Sequence, residues 1–301
     1  MRTKNNFALT TPVLFIVFNR LDTTKQVFEE IKKAKPQKLF IAADGPRNFQ
    51  EKNKTDVVRK YILENINWKC EVKTLFREKN LGCKYAVAGA IDWFFDNVEQ
   101  GIILEDDCLP SQSFFKFCQE MLEKYKDDER VMHISGTNVE GISKIDQDYF
   151  FAINFNVWGW ATWKRAWKLY DINVTHWPRF LKEGRSKDFS LGFINEFFLK
   201  RQFNKMYFQK QDTWDYQWWF ACITNSGLAI ISKKNLITNI GLFNGTHMGS
   251  SDKNKMLKRN NLSFPLKDNK FILNTPSYQK SSNRFFRQGF LRRQLKKYGK
   301  I

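Results

Sequence analysis

Three apolar residues run directly into three acids in the segment Gly101-Ile102-Ile103-Leu104-Glu105-Asp106-Asp107-Cys108. Its apolar half predicts a short buried strand, which Pro110 ends, and Ser111 or Ser113 is placed to cap a following helix. Its three adjacent carboxylates repel one another unless a positive group lies among them. At the carboxyl end of a buried parallel strand, that group is usually a divalent cation with its phosphate ligand. The stretch therefore predicts a metal site, against the simpler interpretation of a solvated acidic turn.

Around this stretch, the first half of the chain alternates between strand and helix patterns. The predicted strands cover residues 12–18, 38–43, 71–76, 101–104 and 131–135. The predicted helices begin at Asp22 or Thr23 and then cover 56–66, 81–95 and 114–125. Successive strand–helix units predict an α/β fold with a Rossmann-like, mostly parallel central sheet flanked by helices. The glycine fingerprints of dinucleotide-binding sites and P-loops are absent from the sequence.

After residue 136 the regular pattern loosens and aromatic residues dominate. The predicted elements are a strand over 149–157, an aromatic turn at 158–163, a Phe-rich helix over 189–208, a helix from Asp212, a strand over 229–231 and a glycine-rich loop over 239–249. A boundary near 136–148 divides a catalytic domain of residues 1–250 into a nucleotide-binding half (12–136) and an aromatic half (137–250). Residues 251–301 form a basic C-terminal extension.

The composition limits the class of protein. The 301 residues carry a net charge of +19, and residues 251–301 hold 14 Lys or Arg against two Asp, which gives +12 there. Such an extension favours a polyanionic partner. Because the cations collect at one end instead of lining a groove, we expect no nucleic-acid partner. The sequence has no apolar run of membrane-spanning length, no signal-peptide pattern and no zinc spacing among its five Cys, so we expect a cytoplasmic protein.

The end of the chain combines aromatic and aliphatic residues with cations in a helical pattern. The apolar residues are Phe285, Phe286, Phe290, Leu291, Leu295 and Tyr298, and the cations are Arg284, Arg287, Arg292, Arg293, Lys296 and Lys297. A helix of this composition predicts binding to an anionic membrane surface, as in a peripheral protein on the inner face of the cell membrane. The alternative is a helix that docks its Phe residues onto the catalytic domain.

Four motifs occur in a fixed order. They are Phe18-Asn19-Arg20, Ala43-Asp44-Gly45-Pro46-Arg47, Asn80-Leu81-Gly82-Cys83-Lys84 and Ile103-Leu104-Glu105-Asp106-Asp107-Cys108. With them, the chain resembles GT-A-fold nucleotide-sugar glycosyltransferases over residues 12–250. Within these it is most similar to the Glu-Asp-Asp (DXD-like) branch, which includes the N-acetylglucosaminyltransferase that initiates complex N-glycans and bacterial relatives in surface-polysaccharide loci.

The resemblance implies transfer of a hexosyl or N-acetylhexosaminyl group from a UDP-sugar to a saccharide acceptor, which is lipid-linked if the tail binds membrane. It also implies Mn²⁺ or Mg²⁺ as cofactor, since a divalent cation neutralises the diphosphate leaving group. In the family pattern, the last acid of the triplet, Asp107, contacts the metal. Asp106 lies near the ribose or sugar, and Glu105 reaches the sugar or supports the turn. Asp44 matches the aspartate that reads the uracil edge.

Three further residues are candidates for binding the donor. Arg20 ends the first strand and would face the base or phosphate, unless it is a surface arginine at the sheet edge. Lys84 lies in the first turn of a helix, where the helix dipole and the ammonium group together favour an anion; the alternative is an ordinary surface lysine. His247 lies between Gly245 and Gly249, and GT-A enzymes have a late loop whose histidine sometimes contacts the metal. A lone histidine is more often structural.

Asp215 is the candidate general base of an inverting transfer, in which one carboxylate takes the acceptor proton. Trp214 precedes it, as in the family pattern, but Tyr216 stands where the family has a second acid. Asp212 therefore stays a rival, and either aspartate could instead cap a helix. The alternative functions are a nucleotidyltransferase, a retaining glycosyltransferase and a sugar-nucleotide-binding relative without activity.

Overall fold

The apolar run of β1 (Val13–Val17) is an inner strand of an eight-stranded sheet. The computed structural model describes residues 7–241 and 257–285. The other strands are β2 (Lys38–Ala43), β3 (Glu71–Phe76), β4 (Gln100–Glu105), β5 (Cys108–Pro110), β6 (Val131–Ser135), β7 (Tyr149–Ala152), β8 (Trp160–Trp163), β9 (Leu228–Ser232) and β10 (Ile237–Asn239). The helices are α1 (Leu21–Ala34), α2 (Phe49–Glu64), α3 (Gly82–Asn97), α4 (Gln112–Lys124), α5 (Lys164–Trp167), α6 (Trp177–Lys182), α7 (Ser186–Phe189), α8 (Phe193–Phe208) and α9 (Asp215–Thr224). Residues 276–285 are also helical.

The strand order in the large sheet is β3-β2-β1-β4-β8-β6-β9-β7. The first four strands of this order pair in parallel. β8 runs antiparallel to both β4 and β6, β9 is parallel to β6, and β7 is antiparallel to β9. β5 and β10 form a separate two-stranded antiparallel sheet. The predicted fold class, α/β with a mostly parallel central sheet flanked by helices, is confirmed.

The winding of the sheet reverses at β1. The chain moves outward from β1 to β2 and β3, and then returns to place β4 on the other side of β1. Ligands of open α/β sheets bind outside the carboxyl ends of the strands at such a reversal. Ile16 and Glu105 are register partners at this point. Arg20, just after β1, and the acids that end β4 therefore lie at the same crevice.

Helices cover both faces of the sheet. Because alternate strand residues point to opposite faces, Val13 and Phe15 pack in one core with apolar residues of α1, α2 and α4, whereas Leu14 packs in another with those of α3, α5 and α9. A third core, which includes Phe203 and Phe220, joins α6, α8 and α9. The strands at which the sheet reverses are thus buried by an apolar core on both faces.

The predicted aromatic turn at 158–163 is wrong in its second part. Residues 160–163 are β8, a fully buried strand inserted between β4 and β6. Trp160 belongs to one core and Trp163 to the other, so these side chains follow the strand period of two. Gly159, at φ +61°, turns the chain into this strand, where a Cβ would lie 2.4 Å from Cδ1 of Ile237. The inward and outward positions of β8 cannot be told apart in the sequence, because both faces of this strand are buried among apolar residues.

Several predicted element ends are also wrong. Arg20 occupies the N-cap position of α1, ahead of Asp22 and Thr23. α2 begins seven residues before the predicted start, because the side chain of Asn48 caps it by accepting from the backbone N–H of Glu51 at 2.9 Å. α9 begins at Asp215 instead of Asp212. Ser111 is the N-cap of α4, but its side chain makes no capping hydrogen bond. Pro110 is the last residue of β5, whereas β4 already ends at Glu105.

Residues 257–285 pack against the rest of the chain. The side chains of Leu262 and Tyr278 are buried, and the Tyr278 ring contacts Phe150 with centroids 4.9 Å apart. Phe285 contacts Trp158 edge-on at 6.4 Å, as the docking alternative for the tail requires at this residue. The remaining residues of the predicted tail helix lie outside the described residues, so its membrane binding stays a prediction, as do the domain bounds.

Candidate functional site

The acidic triplet lies in the turn between β4 and β5, and Arg20 faces it from the end of β1. Arg20 Nη2 donates to Asp106 Oδ1 and, at 3.0 Å, to Asp107 Oδ2. Burial alone would lower the pKa of Arg20, but the charges of Asp106 and Asp107 outweigh it and raise that pKa. Asp106 is 3% exposed, and its Oδ2 has no hydrogen-bond partner. The single positive charge of Arg20 thus balances only part of the negative charge of the three carboxyl groups.

The electrostatics of the triplet favour a further positive charge. Burial raises the pKa of Glu105 to about 8, and the charges of Asp107, Asp106 and Asp215 add to the effect. Burial also raises the pKa of Asp106 to about 6, although Arg20 opposes the shift. Both carboxyl groups therefore take up protons more readily than usual, as expected where negative charges crowd in a poorly hydrated place.

The small sheet holds the backbone of the triplet from the other side. β10 pairs with β5, and the backbone N–H of Ile240 donates to the carbonyl oxygen of Asp107 at 2.8 Å. A Cβ on Gly241 would lie 2.8 Å from both the Cβ of Asp107 and Nη1 of Arg20, so a side chain here would force these residues to shift. Gly241 is the last described residue before the gap at 242–256. His247 lies outside the described residues, and its metal role stays a prediction.

An aromatic cluster connects the end of β4 to the start of α9. Trp160 is the register partner of Ile103 in β4 and of Ser135 in β6. Its ring stacks on that of Trp214, with centroids 5.6 Å apart and an interplanar angle of 22°. Trp218, fully buried, lies 5.8 Å from Trp160 by the same measure. The cluster therefore fixes the first turn of α9 at the carboxyl edge of the sheet.

His133 anchors this cluster from within the sheet. Its Nδ1 accepts a hydrogen bond from Trp218 Nε1 at 3.1 Å, and its Nε2 lies 3.2 Å from the carbonyl oxygen of Asn156. These two partners assign the proton to Nε2, because the indole N–H can only donate and the carbonyl can only accept. Burial lowers the pKa of His133 to about 3, so the ring is neutral. These contacts give His133 a structural role.

Asp215 lies in the first turn of α9, and its charge acts on the acidic triplet. Thr213 Oγ1 donates a hydrogen bond to Asp215 Oδ1. The charge of Asp215 contributes to the raised pKa of Glu105 and, after burial, to that of Tyr170. The structure therefore brings the candidate base and the triplet together, although they are more than 100 residues apart in the sequence.

Asp212 has a different environment from Asp215. Its carboxylate accepts from the backbone N–H groups of Cys83 at 3.1 Å and Lys84 at 2.7 Å, at the start of α3. It thus caps a helix 128 residues away, where the unpaired N–H groups and the helix dipole favour an anion. Sequence analysis considered capping for Asp212 but had no means to identify α3 as the helix.

The same contact changes the environment expected for Lys84. The residue is 3% exposed, and its Nζ lies 5.5 Å from the centroid of the Tyr85 ring. Burial lowers its pKa, and the charge of Lys210 adds to the effect. The anion at the start of α3 is the chain's own Asp212, and binding of a donor phosphate by Lys84 stays a prediction.

Asp44 at the end of β2 is held by the loop that precedes α3. Its carboxylate accepts from the backbone N–H groups of Gly45 at 2.9 Å and Leu81 at 3.1 Å, and from Asn80 Nδ2 at 2.9 Å. Burial raises its pKa despite these hydrogen bonds. The contacts give Asp44 a structural function in joining two loops at the crevice, and its reading of a uracil edge stays a prediction.

A cleft of about 620 Å³ opens beside Arg20. It is lined by Asn19, Arg20, Leu21, Asp22, Lys25 and Lys54. The lining carries three cations and one carboxylate, Asp22, and this excess of positive charge favours an anionic ligand. Sequence analysis identified Arg20 but missed Lys25 and Lys54, because these come together through the packing of α1 against α2 and not through any local motif.

A divalent cation at this site would need carboxylate oxygens of the triplet as ligands. Within residues 7–241 and 257–285, no group of three or more His, Cys, Asp or Glu side chains is arranged to hold a metal ion. Asp107 can still supply one carboxylate ligand, and the buried, unpartnered Oδ2 of Asp106 lies in the same turn. Mg²⁺ and similar ions are often held by one or two carboxylates plus substrate phosphates. The binding of such a cation by Asp107, together with a diphosphate, stays a prediction.

No family model matches the sequence. No curated protein matches it either. Among solved structures, a mannosyltransferase from Pyrobaculum calidifontis, in complex with GDP-Man and Mn2+, is 15% identical with a TM-score of 0.38, over 55% of this chain and 49% of that chain. A UDP-glucose pyrophosphorylase complexed with UDP-glucose is 10% identical with a TM-score of 0.42, over 93% and 99%. A 4-diphosphocytidyl-2C-methyl-D-erythritol synthase from Anaerococcus prevotii is 11% identical with a TM-score of 0.36, over 58% and 76%.

This chain spans about half the length of the mannosyltransferase. All three TM-scores lie below 0.5, and these similarities carry no information about the activity of this chain. In the part of the chain that the structure describes, no helix is both long and apolar enough to span a membrane.

Proposed function

We propose that the protein is a metal-dependent glycosyltransferase that moves a sugar from a UDP-sugar to a saccharide acceptor, with inversion, in the synthesis of a surface polysaccharide or glycan. One observation carries the proposal. The triplet at the end of β4 and Asp215 at the start of α9 share the carboxyl edge of the sheet, joined by the Trp160–Trp214 stack. An acidic metal-and-diphosphate site beside a separate carboxylate is what this reaction needs.

Asp107 would supply the protein ligand to Mn²⁺ or Mg²⁺, and the bound cation would neutralise charge on the diphosphate leaving group. Arg20 holds Asp107 and Asp106 in orientation through its hydrogen bonds to both. Glu105 and Asp106 would contact the ribose or the sugar. Asp44 would read the uracil edge by accepting one further hydrogen bond from the ring N–H, in addition to those from its own chain.

Asp215 would act as the general base. Its carboxylate takes the proton of the acceptor hydroxyl, the hydroxyl oxygen forms a bond to the anomeric carbon, and the bond from that carbon to the diphosphate breaks, with its electron pair leaving on UDP. The hydrogen bond from Thr213 fixes the orientation of the Asp215 carboxylate. Asp212 is the weaker candidate, because its carboxylate already accepts two hydrogen bonds from the start of α3.

The cleft beside Arg20 favours a second candidate function, a nucleotidyltransferase. Lys25 and Lys54 line it together with Arg20, and such an enzyme must hold the triphosphate of its nucleotide near the end of β1. Against this function, the segment Asn19-Arg20-Leu21-Asp22 contains no glycine. A glycosyltransferase needs the same cations only for the diphosphate of its donor, so the cleft suits both reactions.

Product analysis separates the candidates. The purified protein is incubated with Mn²⁺ and a panel of nucleotide sugars, first in a thermal-shift screen and then with saccharide acceptors. Release of UDP with a glycosylated product supports the proposal, and the anomeric configuration of the product, read by NMR, separates inversion from retention. Pyrophosphate formed from a nucleoside triphosphate and a sugar 1-phosphate supports the second candidate. Donor binding without turnover of any acceptor supports a binding protein.

A further inference from the structure

Helix α8 has two apolar sides, of which only one is covered. Leu199, Phe203 and Met206 are buried against the third core, where the Phe203 ring stacks on Trp219 of α9 with centroids 5.6 Å apart. The other side is exposed at Phe193 (82%), Ile194 (56%), Phe197 (54%) and Phe208 (68%). Phe193, Ile194 and Phe197 lie within the first two turns of the helix, and exposed apolar side chains grouped in this way mark an interaction surface.

Cations surround the exposed side of α8. Phe197, Lys200, Arg201, Asn204, Lys205 and Gln209 line a groove of about 520 Å³ along the helix. Residues 177–210 contain eight Lys or Arg against three Asp or Glu, a net charge of +5. Within α8 itself three cations, Lys200, Arg201 and Lys205, stand against the single acid Glu196, so the surface that carries the exposed Phe side chains is net positive.

We propose that this face of α8 docks onto an anionic lipid bilayer. Phe193 and Phe197 enter the boundary between headgroups and acyl chains, and the cations of the groove meet lipid phosphates, in the arrangement of an interfacial helix. The charge decides the occupant. A second copy of the chain would set like charges against one another, whereas the phosphates of an anionic leaflet complement them.

The position of α8 connects this surface to the candidate site. Phe208 precedes Asp215 by seven residues, which limits the distance between their Cα atoms to ~25 Å. The intervening residues include Asp212, which is fixed to the start of α3. Because Phe193 lies ~22 Å from Phe208 along α8, docking through this helix holds Asp215 within ~50 Å of the bilayer. If the proposed function is correct, this placement favours a lipid-linked acceptor, but the docking itself does not depend on that function.

Flotation of the full-length protein with vesicles tests the proposal. The vesicles contain phosphatidylcholine alone or phosphatidylcholine mixed with phosphatidylglycerol. We expect binding to the mixed vesicles only, and we expect the double variant Phe193→Ser/Phe197→Ser to bind them at least about tenfold more weakly, because two Phe side chains no longer enter the bilayer. The control is Phe49→Ser on α2, which removes a Phe that is 89% exposed and should leave binding unchanged.

A matched pair of charge variants tests the electrostatic part. Lys200→Gln and Lys60→Gln each remove a lysine that pairs with a glutamate four residues away on its helix, Glu196 and Glu64 respectively. We expect Lys200→Gln to weaken binding about fivefold and Lys60→Gln to have no effect. Every variant keeps the tail at residues 286–301, so tail binding is constant. Equal flotation of the wild type and the α8 variants, or no flotation of the wild type, would overturn the proposal.

Discussion

Asp212 accepts a hydrogen bond from the backbone N–H of Lys84 at 2.7 Å, which fixes the segment before α9 to the start of α3. Three residues further along the chain, Asp215 accepts a hydrogen bond from Thr213, and its charge contributes to the raised pKa of Glu105 in the acidic triplet. Two aspartates that look equivalent in the sequence are thus separated by the fold into a helix cap and a candidate base. This separation makes the two roles testable by mutation.

We expect Asp212→Ala to lower the free energy of unfolding by about 1–2 kcal/mol, because two N–H groups at the start of α3 lose their acceptor and the helix dipole loses its anion. Urea unfolding followed by circular dichroism measures the loss. Asp212→Asn is the control: its single amide oxygen can replace only one of the two carboxylate oxygens, so about half of the lost stability should return. Unchanged stability of Asp212→Ala together with abolished transfer would instead identify Asp212 as the base.

For Asp215→Asn we expect the opposite pattern. The turnover number for sugar transfer should fall by about 10²- to 10⁴-fold, because an amide cannot take the acceptor proton. The affinity for UDP with Mn²⁺, measured by calorimetry, should stay unchanged, and so should the thermal midpoint, because the amide oxygen can still accept from Thr213. Wild-type turnover in this variant would remove Asp215 from the mechanism.

Asp107→Ala should abolish the part of UDP binding that depends on the metal. Titrations of UDP with and without MnCl₂ should show more than about a tenfold gain in affinity from the metal in the wild type and none in the variant, since the protein ligand is lost. Asp56→Ala is the control, because Asp56 lies on the surface of α2 and pairs with Lys52. If Mn²⁺ strengthens UDP binding equally in wild type and Asp107→Ala, Asp107 is not a metal ligand.

The buried His133 predicts a loss of stability in acid. Burial lowers its folded-state pKa to about 3, whereas the unfolded chain has the ordinary value of about 6.5. Its contribution is therefore complete above about pH 6.5 and falls by about 1.4 kcal/mol per pH unit below that, down to about pH 3.

The variant His133→Gln isolates this contribution, because glutamine does not titrate and its carbonyl oxygen can accept from Trp218. Urea unfolding at several pH values should show that the wild type loses about 2 kcal/mol more than the variant between about pH 6.5 and pH 5. Parallel pH profiles for the two proteins would show that His133 does not stay neutral in the folded state.

The sequence by itself determined the parts of this protein that depend on local order. The strand patterns of β2, β3 and β6 could be read to the residue, with β3 as an alternating strand. The change from Leu104 to Glu105 located the acidic turn, because a buried strand cannot continue through three charges. The contacts between these elements are visible only in the tertiary structure. The stack of Trp160 on Trp214 and the contact of Asp212 with α3 join residues that are distant in sequence. No periodicity or motif encodes such contacts, since they arise when separate elements pack around a shared core.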